Sequence, residues 1–140
     1  MDVEVGTPIP AWTVESVDTE KMKTMAALLR DPNPIHWDVD AVRSLGMGDK
    51  VINQGPTNMA YVLNMLISWL GDPACVRRIT VRFLANVLGG DSVVAAGRVT
   101  GLREEGGERL ADCEVWLERA DGQRVLAGTA TVALPQAAAA

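Results

Sequence analysis

A long apolar helix constrains the fold of this chain more than any other feature of its sequence. The side chains of residues 57–70 are apolar at nearly every position, namely Met59, Ala60, Tyr61, Val62, Leu63, Met65, Leu66, Ile67, Trp69 and Leu70. Pro56 suits the first turn of a helix, and Gly71-Asp72-Pro73 is a termination signal. A helix that is apolar nearly all round is buried on most sides. The rest of the chain must therefore cover it.

The segments around this helix supply the cover. Strands are predicted at residues 11–16, 79–84, 91–102, 108–118 and 124–134, and shorter helices at residues 20–29 and 38–45. Gly106-Gly107 and Asp121-Gly122 are turn signals between consecutive strands. Asp18 or Thr19 can cap the first helix, and Asp38 is expected to cap the second. The predicted fold class is α+β, with a five-stranded antiparallel sheet wrapped around the long central helix.

Length, charge and hydropathy indicate a single domain and argue against several classes of function. The chain of 140 residues is long enough for one core, which we assign to residues 1–134, followed by a C-terminal tail at 135–140. The net charge of −5 argues against nucleic-acid binding. No apolar run reaches the ~18 residues of a membrane span, and the residues from Met1 onward do not resemble a signal peptide.

The cysteines indicate neither a disulfide nor a metal site. Cys75 and Cys113 lie far apart and lack the spacing of metal ligands. We expect two buried thiols in a reducing cytoplasm, with no metal and no cofactor.

A rigid turn carries the strongest functional signal. Asp31-Pro32-Asn33-Pro34-Ile35-His36 contains the only histidine of the chain. Each proline fixes its own φ and disfavours the α region for the residue before it, so the turn is predicted to be stiff. A carboxylate and an imidazole held in this way can exchange protons with one water molecule. The alternatives are that His36 only braces the loop and that Asp31 is only a turn residue.

This turn resembles the D-x-N-P-x-H signature of the MaoC-like family of hot-dog-fold hydratases and dehydratases, which includes the (R)-specific enoyl-CoA hydratases. Gly55 is similar to the glycine that precedes the family's long helix, and residues 81–91 and 125–132 resemble two of its strand regions. The resemblance covers roughly the whole chain. It implies a single hot-dog fold that forms a dimer with active sites at the subunit interface, with a homodimer expected and a heterodimer left open.

The resemblance also implies a reaction, the reversible addition of water to a trans-2-enoyl thioester of CoA or of an acyl carrier to give a 3-hydroxyacyl thioester. Carried over residue by residue, it implies that Asp31 and His36 hold and activate the water and that Asn33 orients the turn. The backbone N–H of Gly55 would receive the thioester oxygen. A helix start suits this role, because its N–H groups are free and its dipole is positive there. Gly55 could instead serve only the turn.

The chain departs from the family pattern at three places. Leu29-Arg30 stands where members usually have a small residue and a glycine, Gln54 where they commonly have histidine, and Pro56 follows the glycine. The last two positions bear on the oxyanion geometry and the acyl pocket, so Gln54 and Pro56 are candidate substrate-binding residues. Met47 and Met59 are further candidates, with core packing as the alternative.

Three arginines could meet the phosphates of CoA, but exposed strand positions with one structural ion pair are the simpler interpretation; they are Arg77, Arg78 and Arg82. Two other functions remain open. One is a hot-dog acyl-thioesterase, in which a carboxylate activates water at the carbonyl. The other is one subunit of a heterodimeric dehydratase. The pairing of His36 with Asp31 favours hydration over hydrolysis, and release of free thiol would discriminate between them.

Overall fold

A five-stranded antiparallel sheet packs one face against a long helix. The computed structural model describes residues 1–137, with the elements β1 (Pro8–Val14), α1 (Thr19–Leu29), α2 (Val39–Ser44), α3 (Gly55–Leu70), β2 (Val76–Phe83), β3 (Val93–Glu105), β4 (Glu108–Arg119) and β5 (Arg124–Ala133). Single 3-10 turns lie at Pro34–His36 and Pro73–Cys75. The strand order is β1-β3-β4-β5-β2. The predicted α+β class with five strands around a central helix is confirmed.

The helix α3 buries one stripe against the sheet. The stripe consists of Asn58, Val62, Met65, Leu66 and Leu70. Alternate residues of β3 and β4 are buried opposite it, as the twofold periodicity of strands requires. The other apolar residues of α3 are only half-buried. One flank of this apolar helix therefore remains accessible in the single chain.

Both edge strands begin earlier than the sequence pattern predicted. β1 begins at Pro8, three residues before the prediction, because a strand that pairs on one side only can accommodate proline. β2 begins at Val76 and pairs with β5 alone, with an irregularity in register between Val76 and Arg78. The helix α3 begins at Gly55 rather than at residue 57, so that Pro56 occupies its first turn.

The helix caps follow the predicted chemistry. Asp18 accepts the N–H of Glu20 at 2.8 Å, and Asp38 accepts the N–H of Asp40 at 2.9 Å. Residues 135–137 follow β5 without regular structure, and the rest of the predicted tail, residues 138–140, lies outside the described residues. Among residues 1–137, no helix combines the length and the apolar character that a membrane crossing requires.

Both cysteines are free and buried, as predicted. Burial raises the pKa of the Cys113 thiol to about 12 and also raises the pKa of Cys75. Within the described part of the chain, no group of three or more His, Cys, Asp or Glu side chains is arranged to hold a metal ion.

Candidate active site

Asp31 follows the end of α1, where the backbone adopts the left-handed conformation that favours glycine. Arg30 has φ 51° and ψ 41°, and it is the only non-glycine residue with positive φ in residues 1–137. The N–H of Asp31 then donates to the carbonyl of Ala26 at 2.9 Å, which closes the helix end. Arg30 stands where the resemblance described above leads us to expect glycine, so an L-residue adopts this left-handed conformation and is strained.

Side chains inside the turn hold its shape. The Oδ1 atom of Asp31 accepts the N–H of Asn33 at 3.0 Å, and the Oδ1 atom of Asn33 accepts the N–H of Ile35 at 3.3 Å. The residues Pro34–His36 form one 3-10 turn that Asn33 caps. Asn33 thus lies where it can orient the turn. The prolines and these two local hydrogen bonds together fix the direction of Asp31 and His36.

The structure brings Asp31 and His36 together. The distance between Asp31 Oδ2 and His36 Nε2 is 3.1 Å, with the histidine side chain buried and the aspartate side chain 33% exposed. His36 Nδ1 lies 2.6 Å from the carbonyl oxygen of Ile52, which can only accept a hydrogen bond, so Nδ1 carries a proton. Proton exchange is therefore confined to the edge where Nε2 meets the carboxylate, and this edge reaches solvent through Asp31.

The start of α3 offers one free backbone donor. Pro56 has no N–H, and the N–H groups of Thr57 and Asn58 both donate to the carbonyl of Gln54 at 3.1 Å. The N–H of Gly55 takes part in none of the backbone hydrogen bonds found outside the regular elements of residues 1–137. Gly55 follows Ile52, the partner of His36, by three residues. A free N–H at a helix start can donate a hydrogen bond to an oxygen atom on which negative charge develops.

A side chain at position 55 would crowd a neighbour. A Cβ atom built on Gly55 would lie 3.1 Å from the ring of Phe83, which is 53% exposed at the end of β2. The absence of a side chain at Gly55 therefore lets the ring of Phe83 pack closely against the start of α3.

The four candidate substrate-binding residues lie in different environments. Gln54 is buried, and its Nε2 donates to the carbonyl of Met22 at 2.7 Å. Met59 packs against the core, while Met47 and Pro56 are exposed. Their part in substrate binding stays a prediction.

The three arginines occupy the edge strand β2. Arg77 pairs with Glu108 at 2.5 Å, and this hydrogen bond raises the pKa of Arg77 and lowers that of Glu108. Arg78 and Arg82 are exposed. Arg77 thus makes the one structural ion pair that the simpler interpretation expects.

Sequence reasoning missed the residues that surround His36. Ile52 contributes only its carbonyl, and no side-chain pattern identifies such an atom in advance. Asn53, Asn58 and Tyr61 form a hydrogen-bonded group close by. The one available signal was Asn58, a polar residue in the otherwise apolar buried stripe of α3.

A shallow cavity of about 390 Å³ lies beside the turn, and its lining consists of Lys23, Ala26, Ala27, Asp31 and Trp37. Several large apolar residues in the segments on either side of the turn are exposed, namely Leu28, Leu29, Trp37, Leu45 and Met47.

The sheet order and the single central helix define the hot-dog class of fold, and solved structures show the same architecture. The (R)-hydratase from A. caviae involved in PHA biosynthesis superposes with a TM-score of 0.85 at 24% identity, covering 96% of this chain and 99% of that one. The ChsH1-ChsH2 complex from Mycobacterium tuberculosis matches with a TM-score of 0.80 at 21% identity over 96% and 100%. The HadBC (3R-hydroxyacyl-ACP dehydratase) complex from Mycobacterium tuberculosis matches with 0.74 at 16% over 95% and 98%.

The sequence itself carries the family assignment. The family model described as "MaoC like domain" matches residues 4–116, so the chain belongs to the MaoC-like family. No curated protein sequence matches it significantly.

Proposed function

We propose that this protein is a hydro-lyase that interconverts trans-2-enoyl and 3-hydroxyacyl thioesters of CoA or of an acyl carrier protein. The observation that carries the proposal is the Asp31–His36 pair, with 3.1 Å between Oδ2 and Nε2 at a partly exposed edge. Membership in the MaoC-like family and the likeness to an (R)-hydratase support it.

The pair suits both proton transfers of the reaction. Hydration adds the oxygen of water to C3 of the enoyl group, and it requires a base to take a proton from that water and an acid to give one to C2. The Nδ1 proton of His36 is engaged by Ile52, so Nε2 and the carboxylate of Asp31 are the groups that exchange protons. In our proposal one water molecule binds at this edge, gives its proton to the pair as its oxygen attacks C3, and the pair returns a proton to C2.

In the proposed mechanism, Gly55 stabilises the intermediate charge. Attack at C3 places negative charge on the thioester oxygen as an enolate, and the free N–H of Gly55 at the positive end of α3 is its donor. Loss of one such donor typically lowers the rate by about 10²–10³. Asn33 keeps the turn in the shape that holds the water.

Exposed apolar residues at the end of β2 and the accessible flank of α3 support a dimer. Phe83 and Leu84, at the end of the edge strand β2, are 53% and 51% exposed, and one flank of α3 is only half-buried. We propose that a second hot-dog chain covers this surface and completes the acyl pocket together with Gln54, Met47, Met59 and Pro56. A second copy of the same chain is the simplest partner. Two similar structures are complexes of unlike chains, ChsH1-ChsH2 and HadBC, which keeps an unlike partner as the alternative.

The proposed reaction needs no cofactor. We propose that the protein acts in the cytoplasm. The free, buried thiols of Cys75 and Cys113 are compatible with a reducing compartment.

The test is loss of enoyl absorbance with a panel of trans-2-enoyl-CoA esters, with free thiol measured in parallel and the oligomeric state measured by sedimentation. Asp31→Asn and His36→Ala should each lower kcat/KM by about 10² or more, because each removes half of the proton-exchanging pair.

Asp38→Asn is the matched control, since it makes the same chemical change at a helix cap where asparagine serves as well as aspartate. Release of free thiol would support the thioesterase instead. Undiminished hydration by Asp31→Asn would contradict the proposed roles.

A further inference from the structure

The peptide group that accepts the hydrogen bond from His36 Nδ1 forms hydrogen bonds through both of its polar atoms. The carbonyl of Ile52 accepts the Nδ1 proton of His36, and the N–H of the same peptide group, carried by Asn53, donates to the carbonyl of Val87 at 2.8 Å. Because a peptide group is planar, fixing its N–H also fixes the direction of its carbonyl. The N–H of Ile52 is tied as well, to the carbonyl of Ile35 at 2.9 Å.

The side chain of Asn53 fastens this peptide group to α3. Asn53 is buried, and its Nδ2 donates to Asn58 Oδ1 at 2.8 Å and to the hydroxyl of Tyr61 at 3.2 Å. Asn58 and Tyr61 lie in the first two turns of α3. Burial raises the pKa of Tyr61, so the phenol is neutral at physiological pH and can accept this hydrogen bond.

Core packing does not explain this polar group. Asn58 is buried in the stripe that otherwise consists of Val62, Met65, Leu66 and Leu70. A buried amide is destabilising unless it has a hydrogen-bond partner, whereas leucine at the same place would add apolar burial without that requirement. A polar residue at a core position is explained by what it holds in place.

We propose that Asn53, held by Asn58 and Tyr61, is the positioning residue of His36. It sets the direction of the Ile52 carbonyl and thereby keeps Nε2 of the imidazole directed at Asp31. The catalytic consequence rests on the proposed hydratase function, but the orientation of His36 can be measured without any substrate. Outer partners that orient metal-binding histidines are typically worth about 10–100-fold in activity, and we expect an effect of the same order for His36.

The single histidine makes the first measurement unambiguous. In protein with ¹⁵N-labelled histidine, NMR detects the proton on Nδ1 of His36 and its rate of exchange with water. We expect slow exchange in the native protein. In Asn53→Ala and Tyr61→Phe we expect exchange to be faster by about tenfold or more, because the peptide group that shields this proton loses side-chain hydrogen bonds to α3 and keeps only its backbone hydrogen bonds.

The two variants also separate positioning from catalysis in kinetic assays. With an enoyl-CoA ester that the native protein hydrates, kcat should fall by about 10–100-fold while KM stays unchanged, since neither residue is expected to contact the substrate. Tyr61→Phe removes only one oxygen atom, so it decides the question if Asn53→Ala does not fold.

Two controls exclude general effects. Asn64→Ala changes an exposed residue of α3, and Val132→Ala lowers stability from the buried side of β5 without touching the network. Exchange rates in Asn53→Ala and Tyr61→Phe that equal those of the controls would overturn the positioning role and leave the hydratase proposal standing. Faster exchange in a protein that hydrates no ester would support the positioning role and count against the hydratase proposal.

Discussion

Replacing Arg30 by glycine tests the strain at the end of α1. Arg30 has φ 51° and ψ 41°, where an L-residue is disfavoured by about 1–2 kcal/mol because its Cβ crowds the backbone. Glycine removes this penalty but adds about 0.4–1 kcal/mol of chain entropy to the unfolded state. The net expectation for Arg30→Gly is a gain of about 0.5–1 kcal/mol in the free energy of unfolding.

A gain of this size is measurable. For a chain of this length it corresponds to a rise in Tm of about 2–4 °C, which thermal unfolding followed by circular dichroism resolves. Urea unfolding should show a higher midpoint at an unchanged m-value, since the folded core is the same.

The matched control is Arg30→Ala, which removes the charge and the long side chain but keeps the Cβ atom. We expect no gain from alanine. An equal gain from alanine and glycine would assign the effect to the arginine side chain, and a loss with glycine would refute the strain at this position.

Three further predictions address the site, the core and the outer sheet surface. Gly55→Ala should lower hydration by about 10²-fold while changing stability little, because the added Cβ crowds the exposed ring of Phe83 at the start of α3; steady-state kinetics and thermal unfolding check this. Cys113, whose pKa burial raises to about 12, should not react with Ellman's reagent at pH 8 in the folded protein and should react in denaturant. Hydrogen bonds lower the pKa of Asp112, with that from Arg103 contributing most and that from Thr131 next. The contribution of Asp112 to stability is therefore present above about pH 4 and is lost as the pH falls through its folded-state pKa. Asp112→Asn should therefore flatten the acid side of a plot of urea midpoint against pH.

Each of the three has an outcome that would contradict it. Full activity of Gly55→Ala would remove the glycine requirement, fast labelling of Cys113 in the native state would contradict its burial, and an unchanged acid limb in Asp112→Asn would show that other carboxylates govern it.

Local signals predicted most of the architecture. The apolar helix, the hairpin turns and the Asp38 cap depend on neighbouring residues alone, so the sequence was sufficient to predict them. The edge strand β1 was predicted to begin three residues too late, because Pro8 and Pro10 suggest a loop unless the strand is known to lie at an edge. Edge position is a property of the whole sheet and is not visible in a local window.

The sequence predicted the side-chain pair of the candidate site but not its main-chain partner. The prolines and the five-residue spacing predicted the pairing of Asp31 with His36, which the structure places 3.1 Å apart. The second partner of His36 is 16 residues further along the chain and is a main-chain atom. Such a contact depends on how two loops pack together, and the identity of Ile52 carries no sign of it.

The main-chain partner of His36 determines how far this motif can be transplanted. The six residues 31–36 contain the acid and the imidazole, but the carbonyl that selects the tautomer belongs to a separate loop. A designer who grafts the hexapeptide alone onto another scaffold would obtain an imidazole free to rotate and to change tautomer. The smallest portable unit is two loop segments held at a fixed separation, and position 52 in the second segment accepts any side chain that preserves the path of the backbone.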